Sequence, residues 1–229
     1  MAGHLHLDPQ QRSALCAVGV RRRYRPGTLV FREGDHCDSV LVVLHGTVKI
    51  SSTATSGYET VLAVRSAGEV VGELAAFDQR PRSTSVLALS DIDSVLITGD
   101  DFRAYLRSQP DLTLAMLSGM VHRLRESDRR RLEFGAYDVT GRLARLLLEL
   151  AERHGRPTGN GRWTTITVAL SQRELAGAVG ASREAVARSL RVLRRHRAIA
   201  TRRLRITVLR VEVLRSLGGE YPLTEPFIP

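Results

Sequence analysis

From residue 24 to about residue 108, apolar and β-branched residues come in short runs divided by turn signals. The runs are Thr28–Phe31, Val40–Leu44, Thr47–Ile50, Thr60–Val64, Ser85–Leu89 and Ser94–Ile97. Glycines stand between them at Gly27, Gly34, Gly46, Gly57 and Gly68, at spacings of 7, 12, 11 and 11. Short strands at such regular spacing predict an antiparallel barrel or jelly roll.

The pattern changes at Pro110. No further proline occurs before Tyr137, and Leu117, Met120, Val121 and Leu124 recur at helical steps of three and four. The stripe breaks at Ser127 and Asp128 and resumes weakly at Leu132, Phe134 and Tyr137. A helix of about 28 residues spans roughly 40 Å. That length suits a dimer seam or an interdomain strut; a long core helix is the plainer alternative. Asp138-Val139-Thr140-Gly141 then reads as a hinge, followed by a helix carrying Leu143, Leu146, Leu147 and Leu150. Residues 154–161 are a loop by composition. Trp163–Val168 alternates as a strand, two short helices follow, and Leu204–Val208 is a further strand.

Composition narrows the class. Apolar residues are 43% and charged residues 25% of 229, a globular balance that excludes a wholly disordered or collagenous chain. No run approaches the roughly 18 apolar residues of a membrane-spanning helix. The first residues lack the basic and apolar regions of a secretory signal. Two cysteines, Cys16 and Cys37, are too few for a disulfide framework or a Cys-rich zinc site. A reduced, cytoplasmic protein with no membrane partner is the expectation. His4 and His6 read as part of a tail rather than a metal site.

Charge says more through its distribution than its size. Residues 1–140 hold 17 basic and 17 acidic side chains, whereas 141–229 hold 17 Arg against 7 Glu. The whole excess of +10 therefore lies in the last 89 residues. A bias toward arginine explains the choice of Arg over Lys but not this asymmetry, which predicts a polyanionic partner.

The most specific local signal starts at Ser171. Ser171-Gln172-Arg173-Glu174 is a capping box. Its helix runs to Val179, and Gly180 supplies a left-handed stop. Ser182 caps a second helix from Arg183 to Leu193. Ala176 is small enough for close approach, and Val179, Val186, Leu190 and Leu193 can pack inward. This is the layout of a helix-turn-helix whose second helix enters a major groove. Arg183, Glu184 and Arg188 sit near the start of that helix. Arg can bond guanine O6 and N7, and Glu can accept from cytosine N4. Ser171, Arg173 and Ser182 stand at helix starts where phosphates bind. Arg197, Arg202, Arg203 and Arg205 would form a basic wing against the DNA backbone. Exposed local ion pairs are the plainer reading of the first trio.

A second constellation runs from Gly72 to Ser85. Gly72 permits close backbone approach. The N–H groups of Glu73, Leu74 and Ala75 could open a short helix facing a phosphate. Arg82 can bind phosphate oxygens in pairs, Ser83 adds a hydroxyl, and Glu73 would accept from a sugar 2′-hydroxyl. A simple turn with a solvated Arg82 is the alternative.

These motifs resemble those of the cyclic-AMP receptor protein and FNR family of bacterial transcription regulators, from about Leu15 to Val213. Ala181-Ser182-Arg183-Glu184-Ala185-Val186-Ala187-Arg188 is similar to the family's recognition helix, whose matching Arg, Glu and Arg read a TGTGA half-site. Gly72-Glu73-Leu74-Ala75-Ala76-Phe77-Asp78-Gln79-Arg80-Pro81-Arg82-Ser83-Thr84-Ser85 resembles the phosphate-binding cassette of cyclic-nucleotide-binding domains. Asp138–Gly141 matches the family's hinge. The resemblance implies an α+β fold with an N-terminal antiparallel jelly-roll effector domain over 9–108. A dimerisation helix over 109–137 and a winged helix-turn-helix over 138–229 complete it. It implies duplex DNA and a second copy of the chain as partners, RNA polymerase if the protein activates, and cyclic AMP as effector. In the cyclic-AMP-responsive members the long helix offers an Arg and a Thr-Ser pair to the purine. The matching positions here are Arg123, Ser127 and Asp128. Asp128 puts an anion where a neutral hydroxyl stands. It could accept from an adenine amino group, at a cost if buried unpaired, with Arg131 as a candidate partner.

The phosphate half thus fits cyclic AMP and the base half departs from it. Another small ligand, or action without an effector, is the alternative. The cysteines do not fit an iron–sulfur sensor, and the histidines form no haem-attachment motif. A jelly-roll metalloenzyme would need a clustered His/carboxylate triad. His36 and His45 are near each other, but no such triad appears. A regulatory subunit that binds another protein is argued against by the helix-turn-helix.

Overall fold

The structure is a computed structural model that describes residues 9–219. His4 and His6 lie outside the described residues, as does the end of the segment 138–229. Contacts divide the chain into two compact units, Met1–Arg129 and Arg130–Pro229.

In the first unit, α1 (Pro9–Ala17) is followed by β1 (Val20–Tyr24), β2 (Leu29–Phe31), β3 (Val40–His45), β4 (Thr47–Thr53), β5 (Glu59–Ser66) and β6 (Val70–Val71). Then come α2 (Glu73–Asp78), β7 (Ser85–Ala88), β8 (Ile92–Ile97) and α3 (Gly99–Ser108). The eight strands make two four-stranded antiparallel sheets, in the orders β1-β8-β3-β6 and β2-β7-β4-β5. This is a jelly-roll order: β4 and β5 pair as a hairpin, while most other neighbours along the chain fall in different sheets or beside non-consecutive strands.

The run Val40–Val43 is fully buried on both faces. Successive side chains of a strand point to opposite sides. Leu41 and Val43 therefore join Phe31, Val48, Val71 and Val86 in one core. Val40 and Val42 join Leu15, Val95, Phe102, Leu112 and Met116 in another, covered by helices. A continuous apolar run is what such a strand requires. Gly46 makes the one-residue turn by which the chain passes from β3 in one sheet to β4 in the other, at φ 92°, where a Cβ would meet the Asp91 carbonyl oxygen at 2.2 Å.

Four elements here differ from expectation, one of them the two-residue β6, too short to stand out as a run. The β-pattern read to about residue 108 ends at Ile97, because α3 occupies Gly99–Ser108. Thr98 caps it, accepting from Asp101 N at 3.2 Å, with Asp100 and Asp101 in its first turn. Strand β1 carries Arg21, Arg22 and Arg23 and is mostly exposed, so no apolar run betrays it. Helix α1 also went unread; its one fully buried anchor is Leu15.

Helix α4 (Pro110–Ala136) forms as expected. Leu112, Met116 and Gly119 are its buried positions. Leu114, Leu117, Val121 and Leu124 are exposed, at 62%, 56%, 42% and 63%. The division between the two units falls inside this helix, not at its ends.

The second unit continues with α5 (Val139–His154), β9 (Gly155–Thr158), β10 (Trp163–Ile166), α6 (Gln172–Val179), α7 (Arg183–Arg195), β11 (Ile199–Arg202), β12 (Arg205–Val208) and α8 (Val211–Leu217). Its sheet has the order β11-β12-β10-β9. The segment 154–161, expected as a loop, contributes β9 as an edge strand, where Pro157 is tolerated because one side needs no ladder bond. Leu143, Ala144, Leu147 and Leu150 of α5 are buried, as are Leu175, Val186, Leu193 and Leu214. No described helix is long and apolar enough to cross a membrane.

Phe102 is fully buried in the helix-covered core, its ring edge-on to Phe77 at 5.8 Å. Phe102→Ala is expected to cost about 3–5 kcal/mol, read as a lowered urea midpoint for the first unit. An unchanged midpoint would mean that this core does not hold α3 on the roll.

Candidate effector pocket and nucleic-acid interface

The first site is built around a buried guanidinium. Arg82 is 4% exposed. Its Nη1 donates to the Gly72 carbonyl at 2.7 Å, and its Nη2 donates to the Ser39 carbonyl at 2.5 Å. Nη2 also lies 3.5 Å from Cys37 Sγ. The guanidinium carbon sits 3.8 Å above the Phe31 ring. Nε is buried with no partner, and no carboxylate pairs with Arg82 among the described residues. A nearly dry cation without a counter-charge is costly unless an anion arrives.

Gly72 is the N-cap of α2 at φ 86°. A Cβ there would meet Arg82 Nη1 at 2.7 Å and the Phe31 ring at 2.8 Å. Only glycine therefore lets the turn and the guanidinium share this space. Glu73 is buried at 3% exposure, and its Oε1 accepts from Arg123 Nη1 of α4. Ala75 is buried, while Leu74 and Ser83 are exposed. Gly72, Glu73, Arg82 and Arg123 are thus brought together. Arg123, expected at a purine, pairs with Glu73. Ser127 and Asp128 lie one turn and more further along α4, exposed.

Phe31 and Ser39, which complete the cradle, were not read from the sequence. They come from β2 and the segment before β3, some 40 to 50 residues from Arg82. No local pattern marks such a contact. Among the described residues no group of His, Cys, Asp or Glu could hold a metal ion.

The second site is the helix-turn-helix. Ser171 caps α6, accepting from Glu174 N at 3.2 Å while its own N–H and hydroxyl donate to Glu174 Oε2, both at 2.8 Å. That hydroxyl is therefore committed to the capping box rather than aimed outward. Gly180 ends α6 at φ 58°. Ser182 caps α7, accepting from Ala185 N at 3.1 Å. Val186, Leu190 and Leu193 turn inward. Thr140 and Ser189 hydroxyls meet at 3.0 Å, tying α5 to α7. Arg142 Nε donates to the Val179 carbonyl at 2.9 Å. The hinge residue Asp138 caps α5 through Gly141 N at 2.8 Å.

This scaffold leaves Arg183, Glu184 and Arg188 exposed on α7, with Arg173 and Ser182 exposed beside them. Arg202 and Arg203 are exposed in the β11–β12 hairpin. A cleft of about 470 Å3 separates the helices from this wing. Arg173, Arg183, Arg194, Arg202, Arg203 and Arg205 line it. Arg194 was not singled out in the sequence; its Nη1 donates to Thr201 Oγ1 at 3.1 Å and links α7 to the wing. Helix starts, a basic cleft and an exposed polar helix face together suit a phosphate backbone with base edges between its strands.

Two family models match the chain. Residues 21–109 match the cyclic nucleotide-binding domain, and residues 141–217 match the Crp-like helix-turn-helix domain. The CRP-like cAMP-activated global transcriptional regulator of Mycobacterium tuberculosis is 34% identical over 164 residues, 72% of each chain. The cAMP-activated global transcriptional regulator Vfr of Pseudomonas aeruginosa is 29% identical over 192 residues, 82% of this chain and 86% of that one. The solved structure of the c-di-GMP responsive global regulator CLP of Xanthomonas campestris superposes with a TM-score of 0.74 at 26% identity, covering 88% of this chain and 99% of that one. A roll that cradles a buried guanidinium and a capped, arginine-rich helix-turn-helix agree with both family matches: the chain belongs to the cyclic-AMP receptor protein and FNR family, which are DNA-binding transcription regulators and not enzymes.

Proposed function

We propose that the protein acts as a homodimer that reads a palindromic duplex of the TGTGA type and is gated by cyclic AMP. The observation that carries the effector half is Arg82, nine-tenths buried, without a carboxylate and with Nε unspent. A cyclic phosphate supplies the missing charge. In this reading Arg82 and Ser83 hold the phosphate, with the N–H groups of Glu73, Leu74 and Ala75 beyond Gly72. Glu73 Oε1 is engaged by Arg123, which leaves Oε2 to accept from the ribose 2′-hydroxyl. Arg123 thus orients the sugar acceptor, and Ser127 with Asp128 meets the base.

The exposed stripe Leu114, Leu117, Val121 and Leu124 steps by three, four and three, which is coiled-coil spacing. It supports a second copy as the occupant of this face. Asp128 falls four residues beyond Leu124, where the same seam would continue, so an effector there could bias both copies at once. Gating is then linkage: cyclic AMP binds the DNA-competent dimer better and shifts the population toward it. Two heads would read half-sites about one helical turn apart. Arg183, Glu184 and Arg188 would touch base edges. Arg173, Ser182, Arg202 and Arg203 would touch phosphates, with Ser171 contributing only near the backbone at the start of α6. RNA polymerase would be a further partner if the protein activates.

A different effector is the second reading. Asp128 favours it, because an anion replaces a hydroxyl at the base position, and CLP is described as responsive to c-di-GMP.

The deciding experiment is binding to a TGTGA-N6-TCACA duplex with and without cyclic AMP at fixed moderate salt. Tighter binding only with cyclic AMP is expected; equal binding would remove cyclic AMP as the switch. In the same assay Arg188→Ala should weaken the true site by about 1–3 kcal/mol and relax one base pair. Equal losses on true and scrambled DNA would make Arg188 a phosphate contact instead.

Arg82→Leu should abolish the response to cyclic AMP and, by orphaning two buried carbonyls, cost about 1–3 kcal/mol in stability. Calorimetric titration and melting separate the two effects, and a retained response would sink the pocket assignment. Leu124→Glu alters a side chain exposed in the single chain. It should leave the melting of each unit unchanged and convert the dimer to monomer in sedimentation; a monomeric parent protein would refute the seam.

A further inference from the structure

The rim of the Arg82 pocket carries a thiol that the reading above does not use. Cys37 is exposed. Its Sγ lies 3.5 Å from Arg82 Nη2 and 3.5 Å from Ser39 Oγ. The same guanidinium is nine-tenths buried with Nε unpartnered. We propose that Cys37 is a reversible thiol-modification site that takes one half of a small, carboxylate-bearing disulfide and thereby lays an anion on Arg82.

The chemistry follows from the surroundings. Burial raises the thiol pKa, but hydrogen bonds with Ser39 and Arg82 and the Arg82 charge outweigh it, so the thiol sits below its ordinary value. The thiolate is the nucleophile in disulfide exchange. Cys37 Sγ loses its proton to solvent and attacks one sulfur of the disulfide. The Cys37 S–S bond forms as the reagent's S–S bond breaks. Cys37 is oxidised, and the departing half is reduced and leaves as a thiolate that takes up a proton. The retained half is tethered within reach of the guanidinium. A short tether gives it an effective concentration on the order of millimolar, enough to compete with a diffusible phosphate. A reducing thiol reverses the step.

Cys16 is the internal contrast. It lies on α1, half-buried against the helix-covered core, and burial pushes its thiol up despite the nearby Arg12 and Arg21. Its two arginines act on it only through space, whereas Cys37 has a guanidinium nitrogen at 3.5 Å.

The consequence for the effector rests on reading Arg82 as the phosphate ligand, so the test has two arms. The full chain, reduced and then treated with oxidised glutathione, is digested and the adduct rates at Cys37 and Cys16 are measured by mass spectrometry. Cys37 is expected to react about tenfold faster or more, and a rate no greater than that of Cys16 overturns the site. Cyclic AMP affinity is then titrated on the reduced, modified and re-reduced protein. A loss of about tenfold or more on modification, restored by reductant and absent in Cys37→Ser, supports the gate. An unchanged affinity after full modification of Cys37 overturns it. A neutral disulfide, hydroxyethyl disulfide, separates charge from bulk: an equal loss would overturn the carboxylate role. If reduced protein binds no cyclic AMP, the effector reading fails and the gate falls with it, while the relative rates still decide the site.

Discussion

A guanidinium taken out of water without a carboxylate is the constraint around which the first unit is arranged. Arg82 has to be held by dipoles and a ring, because ion pairing is not offered to it. The Gly72 and Ser39 carbonyls and the Phe31 face supply that support. They come from three separate stretches of chain, so the pocket exists only once both sheets are assembled. Each support is also a demand on sequence. Gly72 must be glycine because a Cβ would collide with the guanidinium and the ring. Residues before β3 must present a carbonyl rather than a side chain. The same arrangement explains why α2 can be as short as six residues. Its start is fixed by the Arg82 bond to the Gly72 carbonyl and by the Glu73–Arg123 pair, and not by its own length.

That pair gives α4 a second task. Its inward residues Leu112 and Met116 belong to the roll's core, and Arg123, further along, neutralises Glu73. The outward residues Leu114, Leu117, Val121 and Leu124 are exposed among the described residues. A carboxylate as buried as Glu73 is expensive to leave alone, and truncating Arg123 would leave it so. The helix is therefore fastened to the pocket by apolar contacts at one end and by charge further on. In the proposed dimer, a ligand at Glu73 would touch the same helix whose outer face the second copy covers. No long-range wire is needed for such coupling, only one helix with two occupied sides.

Much of this was legible in the sequence, and the misses have physical reasons. The strands with apolar runs were readable because burial on one or both faces writes itself as β-branched residues. The capping box, Gly180 and the inward stripe of α7 were readable because caps and helical spacing are local. Strand β1 was not, since an exposed edge full of arginine carries no apolar signature. Helix α3 was hidden by reading through Thr98, whose cap and two following aspartates are a helix start. Strand β9 was hidden by Gly155 and Pro157, residues that an edge tolerates. In the pocket, Gly72 and Arg82 were legible as types, but Phe31, Ser39 and Cys37 were not, because nothing local ties them to Arg82. The Ser171 hydroxyl bonds Glu174, as the capping box itself implies.

The charge asymmetry also becomes sharper in three dimensions. Several arginines of the second unit are structural: Arg130 and Arg153 pair with Glu149, Arg145 with Glu133, and Arg142 binds backbone carbonyls. Those charges are largely spent inside the protein. The stretch from Arg173 to Arg205 is different. It carries ten arginines and only two glutamates. One of the two, Glu174, closes the capping box. The other, Glu184, is exposed between Arg183 and Arg188. A face built for phosphate alone would have no reason to keep a carboxylate there, since it weakens every backbone contact nearby. An acceptor set between two forked donors instead suits base edges, where Glu can accept from cytosine N4 and Arg can donate to guanine. The positive charge thus accounts for attraction to a polyanion, and the single retained negative charge is what argues for reading its sequence.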